Sequence, residues 1–168
     1  MRLQTPYERA ASALFERLRL VLSDAGLALY AEPVPVPQLT FGSPANKRPN
    51  VVWLDPLPMM ASTSGSATSF ENQTTFTLTV FCMSRHTDRN VAIANVQRYV
   101  NSVYMGVMAD ATLGRNVDNA IPRVTETGSD ATPDKQYIVA ASVDVTCKAS
   151  SMCPREFKEL VADASRGD

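Results

Sequence analysis

Histidine is almost missing from this chain: in 168 residues it occurs once, at His86. A histidine metal cluster is therefore excluded, and any serine–histidine–acid arrangement would have to use that one side chain. His86 lies between Arg85 and Thr87-Asp88 at the entry to a helix, where a solvated turn residue is the plain reading. Cysteine is sparse and odd in number, with Cys82, Cys147 and Cys153 matching no metal-binding spacing. Two of them fall on alternating strand patterns, where a reduced cysteine behaves as a small buried hydrophobe. No glycine-rich phosphate cradle occurs, so nucleotide chemistry has no seat. Ser64-Gly65-Ser66 lacks the glycines and the strand-to-helix setting of a nucleophile elbow.

An excess of one charge is lacking too. Sixteen basic and 17 acidic side chains leave a formal charge of -1, which argues against a dedicated nucleic-acid binder. Paired acids such as Asp110 with Asp118, and Asp130 with Asp134, stand in polar, turn-rich segments. A catalytic pair needs burial to separate its two pKa values, so these read as surface carboxylates. No enzymatic activity is expected, and no cofactor. No run of about 18 apolar residues is present, so no membrane-spanning helix is expected. The start, Met1 to Pro6, has no apolar stretch of signal-peptide type, which predicts a chain that stays in the cytoplasm where it is made.

What is present suffices for one domain over residues 1–168, with 45% hydrophobic and 20% charged residues. Thr5, Pro6 and Glu8 form a capping box with proline at the first helical position. Tyr7, Ala11, Leu14, Leu18, Val21, Leu22 and Ala25 then make an apolar stripe, closed by Gly26. Leu27–Tyr30 reads as a short strand. From Pro33 to Pro58 there are seven prolines, which predict an extended arm with no place in a sheet interior. Within it Asn50–Leu54 is the one strand candidate. Met59–Thr68, small and polar, reads as a mobile loop, of a length that marks either a binding role or disorder, so that arm and loop together occupy about 31–70.

Thr74–Cys82 alternates, with Phe76, Leu78, Val80 and Cys82 on one face and Thr75, Thr77 and Thr79 on the other. After the turn Ser84–Asp88, a helix capped by Thr87 or Asp88 carries Ile93, Val96, Val100, Val103 and Val107. Ala120–Thr127 reads as a strand near an edge because of Pro122. Turn residues fill 128–134, Tyr137–Cys147 forms a long alternating strand, and a last helix begins near Pro154. Phe157, Leu160, Val161 and Ala164 give that helix its stripe. The class is α+β: a mostly antiparallel sheet of about four strands with helices packed on one face, and strands 75–82 and 137–147 central.

The segment Phe76 to Lys148 resembles the tail terminator family of long-tailed phages, also called tail completion or tail-to-head joining proteins. Members often carry a D-x-T-L-G-G-x-V turn after the second helix. Here it reads Asp110-Ala111-Thr112-Leu113-Gly114-Arg115-Asn116-Val117, with Arg115 in place of the second glycine. The amphipathic first helix and the proline-containing stretch before the first core strand also fit. The resemblance implies a virion structural protein at the head-proximal end of the tail, assembled in the host cytoplasm. It implies a hexameric ring that caps the tail tube, stops its polymerisation and meets the head–tail connector or stopper. DNA would pass through the lumen without sequence-specific binding, past polar or acidic side chains. Such a ring needs two unlike adhesive faces on each subunit. Met59, Met60, Phe70, Thr75, Thr77, Thr79 and Arg115 are the candidates for contact with a neighbour or with the tube. Competing readings are a head-completion or stopper protein of the same virion, a non-viral α+β binding module, and a hydrolase built on His86 or a carboxylate pair.

Overall fold

The computed structural model describes residues 5–22, 27–30, 50–55, 59–65 and 71–152. Helix α1 spans Pro6–Val21 and starts as its sequence dictates. The Thr5 hydroxyl accepts from the Glu8 N–H at 3.3 Å, and the Glu8 carboxylate accepts from the Thr5 N–H at 2.8 Å. Its stripe of Ala10, Ala11, Leu14 and Leu18 is buried. The helix closes at Leu22 (φ −116°, ψ 64°), four residues before the end expected from sequence; Gly26 itself lies outside the described residues.

Six strands follow the order β1-β2-β4-β6-β5, with β3 set beside β4. They are β1 (Leu27–Tyr30), β2 (Asn50–Leu54), β3 (Met59–Gly65), β4 (Glu71–His86), β5 (Asn119–Ala131) and β6 (Tyr137–Met152). Only β1 and β2 run parallel. The expected four-strand antiparallel sheet is present as β2-β4-β6-β5, and β4 and β6 are central. Helix α2 (Arg89–Met108) connects β4 to β5, with the Asp88 carboxylate accepting from the Asn90 N–H as its N-cap.

Three expectations need correction. Residues 59–65 form a strand and not a loop: β3 pairs with Asn72–Thr77 on the β4 edge whose other half takes β2. Met-Met-Ala-Ser-Thr-Ser-Gly has no alternation to read, and the strand exists because β4 offers unpaired main-chain groups. Ser84, Arg85 and His86 belong to β4, paired with Val139, Ile138 and Tyr137, and not to a turn. Gly128–Ala131 likewise stays in β5, so the connecting turn shrinks to Thr132–Gln136. In both cases main-chain pairing to β6 outweighs poor local strand propensity. The arm at 31–49 and the helix expected from Pro154 lie outside the described residues.

Both helices lie on one face of the sheet and enclose one core. Phe76, Leu78, Val80 and Cys82 of β4 meet Val143, Val145 and Cys147 of β6, Val52 and Leu54 of β2, and the stripes of α1 and α2. Cys82 and Cys147 are free and buried, and desolvation pushes each thiol up to about 12. They act as apolar filling. Across the sheet, Trp53 stacks on Phe81 with centroids 5.1 Å apart, and Val51 and Trp53 are buried outside the main core. No described helix is long and apolar enough to cross a membrane.

Candidate interaction surfaces

The segment after α2 is a tightly bonded turn organised by one carboxylate. Asp110 Oδ1 accepts from the Thr112 hydroxyl at 2.6 Å and from the Thr112 N–H at 3.0 Å. Its Oδ2 accepts from the Gly114 N–H at 2.8 Å and from Arg17 Nη2 at 2.9 Å. The Thr112 hydroxyl accepts from the Arg115 N–H, and the Thr112 carbonyl accepts from the Asn116 and Val117 N–H groups. Leu113 and Val117 point into the core and anchor the turn at two points. Arg17, from α1, thereby ties the first helix to the end of the second; its Nη1 also reaches the Gly106 carbonyl.

Three consecutive residues take the left-handed conformation: Leu113 (φ 47°), Gly114 (φ 68°) and Arg115 (φ 68°). Only glycine visits that region freely; other residues give up about 1–2 kcal/mol there. Position 115 is thus a glycine position occupied by arginine. Its side chain is exposed, and among the described residues no hydrogen bond or ion pair holds the guanidinium.

The Thr112 hydroxyl is the largest cause that holds the Asp110 carboxyl well below the usual carboxylate range, followed by the Gly114 N–H and Arg17. A group depressed on folding stabilises the native state above its unfolded pKa of about 3.9 and loses that contribution as pH falls toward the folded value. Replacing Asp110 by asparagine is therefore expected to lower Tm at neutral pH and to flatten its fall between pH 4 and pH 2. Melting curves across that range check this; an unchanged acid limb would remove Asp110 from its role.

The other sequence-predicted residues fare differently. Thr75 and Thr77 are half-buried on the face away from the helices, whereas Thr79 is buried and donates to Asp144 Oδ1 at 2.8 Å. Thr77 and Thr146 hydroxyls lie 3.4 Å apart. At Thr79 this face is covered, because a carboxylate stands directly opposite on β6. Met59 is paired with Thr77 at the start of β3, and Met60 follows at a register shift. Phe70 lies outside the described residues. Arg115 and Thr75 belong to the same end of the sheet, where Lys148 pairs with Thr75 on one side and Asn119 on the other.

The edge position expected for this strand from Pro122 is present: β5 closes one flank of the sheet. This edge strand is exposed along almost its whole length, including Ile121 (56%) and Val124 (42%), and it carries a bulge between Val124 and Glu126. Between it and α2 runs a groove of about 520 Å³ lined by Ile93, Val96, Val100, Val124 and Val139, with Arg89 beside them. Its only signal in the sequence is Pro122, which has no N–H to give a neighbouring strand.

Of the groups weighed for catalysis, His86 and Asp118 have partners within the fold. His86 Nδ1 accepts from the Asp88 N–H at 2.9 Å, and Asp118 is bonded by the Ser150 hydroxyl at 2.7 Å. Among the described residues no three His, Cys, Asp or Glu side chains are grouped to hold a metal.

No protein-family model matches this chain, and no curated protein sequence matches it. Among solved structures, a chain described as "Virion of native gene transfer agent (GTA) particle" is similar at a TM-score of 0.42 and 8% identity. The match covers 83% of this chain and 94% of that one.

Proposed function

We propose that this chain is a virion structural protein, a tail terminator whose copies close into a six-membered ring on the end of a tail tube, and that it is not an enzyme. The observation that carries the reading is the turn Asp110–Val117. Its aspartate, threonine, leucine and glycine each have a defined structural duty, and the one departure from the family's pattern, Arg115, falls where the backbone asks for the family's glycine. A head-to-tail ring needs two unlike sides. The sheet offers them: β5 along one flank, and β1 and β3 along the other. Added main-chain pairing at such an edge is one means of joining neighbours.

In this reading the tube protein binds one face of the ring and the connector or stopper binds the other. The ring sits at the head-proximal end of the tail, after assembly in the host cytoplasm. The near-zero charge suits a channel through which DNA slides, because attraction to phosphate would hold it back. A non-viral binding module is the second reading, favoured by the α2–β5 groove, whose volume falls in the range of small-ligand pockets.

Light scattering behind size exclusion, with negative-stain microscopy, separates the two. The terminator reading expects sixfold rings with six times the 18.3 kDa chain mass, and gold label at the head–tail junction of virions. A monomer or dimer under all conditions, or label anywhere else on the particle, would overturn it.

A further inference from the structure

The turn at 110–117 leads directly into β5, whose far end carries the tip of the β5–β6 hairpin. Along its 13 residues a strand covers roughly 40 Å at about 3.3 Å per residue, so the two features stand at opposite ends of the molecule. They also differ in charge. At one end the Arg115 guanidinium projects from a turn that hydrogen bonds and two buried side chains hold rigid. At the other, the exposed Asp130 and Asp134 stand beside one cation, Lys135, while Glu126 is exposed further back along β5, opposite Ser142. Among the described residues no ion pair engages Arg115 or any of the three acids. Arg115 cannot reach the tip of its own hairpin. A neighbour's tip is free to meet it.

We infer that Arg115 of one copy docks on the acidic β5–β6 tip of the next, forming the polar clamp of a head-to-tail contact between copies of this chain. The contact rests on the ring reading and adds to its two unlike flanks a second complementary pair, at the two ends of β5, that sets how neighbours align along the strands. It also accounts for an arginine at a left-handed position that glycine would fill without strain: the side chain is used outside its own molecule. A guanidinium suits the task, because its planar fork of donors binds carboxylates two bonds at a time. Opposed charges of this kind fix register and exclude wrong partners.

The test uses the full chain and two readouts, melting temperature and association constant by sedimentation. Arg115→Gly is expected to melt at or above the wild type while associating several-fold more weakly. Arg115→Glu, which sets like charges together, is expected to weaken association by roughly tenfold or more. Combining Arg115→Glu with Asp130→Arg and Asp134→Arg is expected to restore most of it. If both single variants assemble at wild-type strength, the clamp is overturned and the ring stands. If the triple variant fails to recover, pairing with the hairpin tip is overturned. Variants that assemble normally but lose retention of duplex DNA would overturn it as well, placing Arg115 against phosphate. A wild-type chain that never associates overturns the ring reading, and the clamp falls with it.

Discussion

Replacing Phe76 by alanine is expected to cost about 3–5 kcal/mol of folding stability, the range for removing a fully buried phenylalanine. Phe76 is 0% exposed, stands opposite Cys147 on β6, and meets the Tyr7 ring edge-on with centroids 6.1 Å apart. It is where α1 closes onto the sheet, so the vacated volume has walls on two elements and neither can collapse without moving its backbone. Phe76→Leu keeps most of the volume and is expected to lose clearly less. Urea unfolding gives the answer as a shift in midpoint at unchanged slope. Because the two rings touch, Tyr7→Ala should cost less in the Phe76→Ala background than alone, by about 0.5–1.5 kcal/mol. A loss below about 1 kcal/mol for Phe76→Ala would mean that α1 is not seated on the sheet as described. Thr75 and Thr77, on the opposite face of the same strand, would then have lost the scaffold that positions them.

The second large effect is expected at Ser84, a buried hydroxyl that joins three elements. It donates to Asn50 Oδ1 at 2.7 Å on β2 and accepts from Asn95 Nδ2 at 3.2 Å on α2. The serine is 0% exposed. Alanine there leaves an amide oxygen and an amide N–H of half-buried asparagines without their partner, and each orphaned group costs far more than a hydrogen bond nets. Ser84→Ala is therefore expected to destabilise by about 1–3 kcal/mol, well beyond the loss of one oxygen atom. A double-mutant cycle with Asn50→Ala tests the network itself: coupling of about 0.5 kcal/mol or more is expected for groups sharing one bond. Additive losses would show that Ser84 is merely packed beside Asn50. Hydrogen exchange should also show β2 opening more readily in Ser84→Ala, since Ser84 anchors the first residue of that short strand.

Much of this architecture is legible in the sequence. The capping box at Thr5, the α1 stripe as far as Leu18 and again at Leu22, the alternation from Phe76 to Cys82 and from Tyr137 to Cys147, and the valine-rich face of α2 stand where their periods put them, whereas Val21 is exposed. Each depends on neighbours two to four residues away, which a linear reading contains in full. The Asp110–Val117 segment could be picked out as a motif, and Arg115 as its odd member. Its conformation could not: three left-handed residues in a row follow from Leu113 and Val117 being drawn into a core built by other segments. The role of Asp110 also escaped notice, because Arg17 lies 93 positions away in the chain.

Strand β3 shows the same divide from the other side. Its seven residues have no strand period, and they are extended only because half of one β4 edge is left over beside β2. Thr79 reads as an outward hydroxyl until Asp144 is placed across from it.

Taken alone, the order of residues determined the periodic elements α1, α2, β4 and β6, which faces of them are apolar, and hence an α+β fold with helices on one side of a sheet. Those properties are local, set by side-chain period and by capping groups within a turn of one another. Tertiary structure alone decided that β3 shares the β4 edge with β2, that a groove opens between α2 and β5, and that a lone arginine and an acidic hairpin tip occupy opposite ends of one molecule. Those properties depend on strand order and register, which arise from pairing between residues far apart in the chain and leave no periodic trace in it.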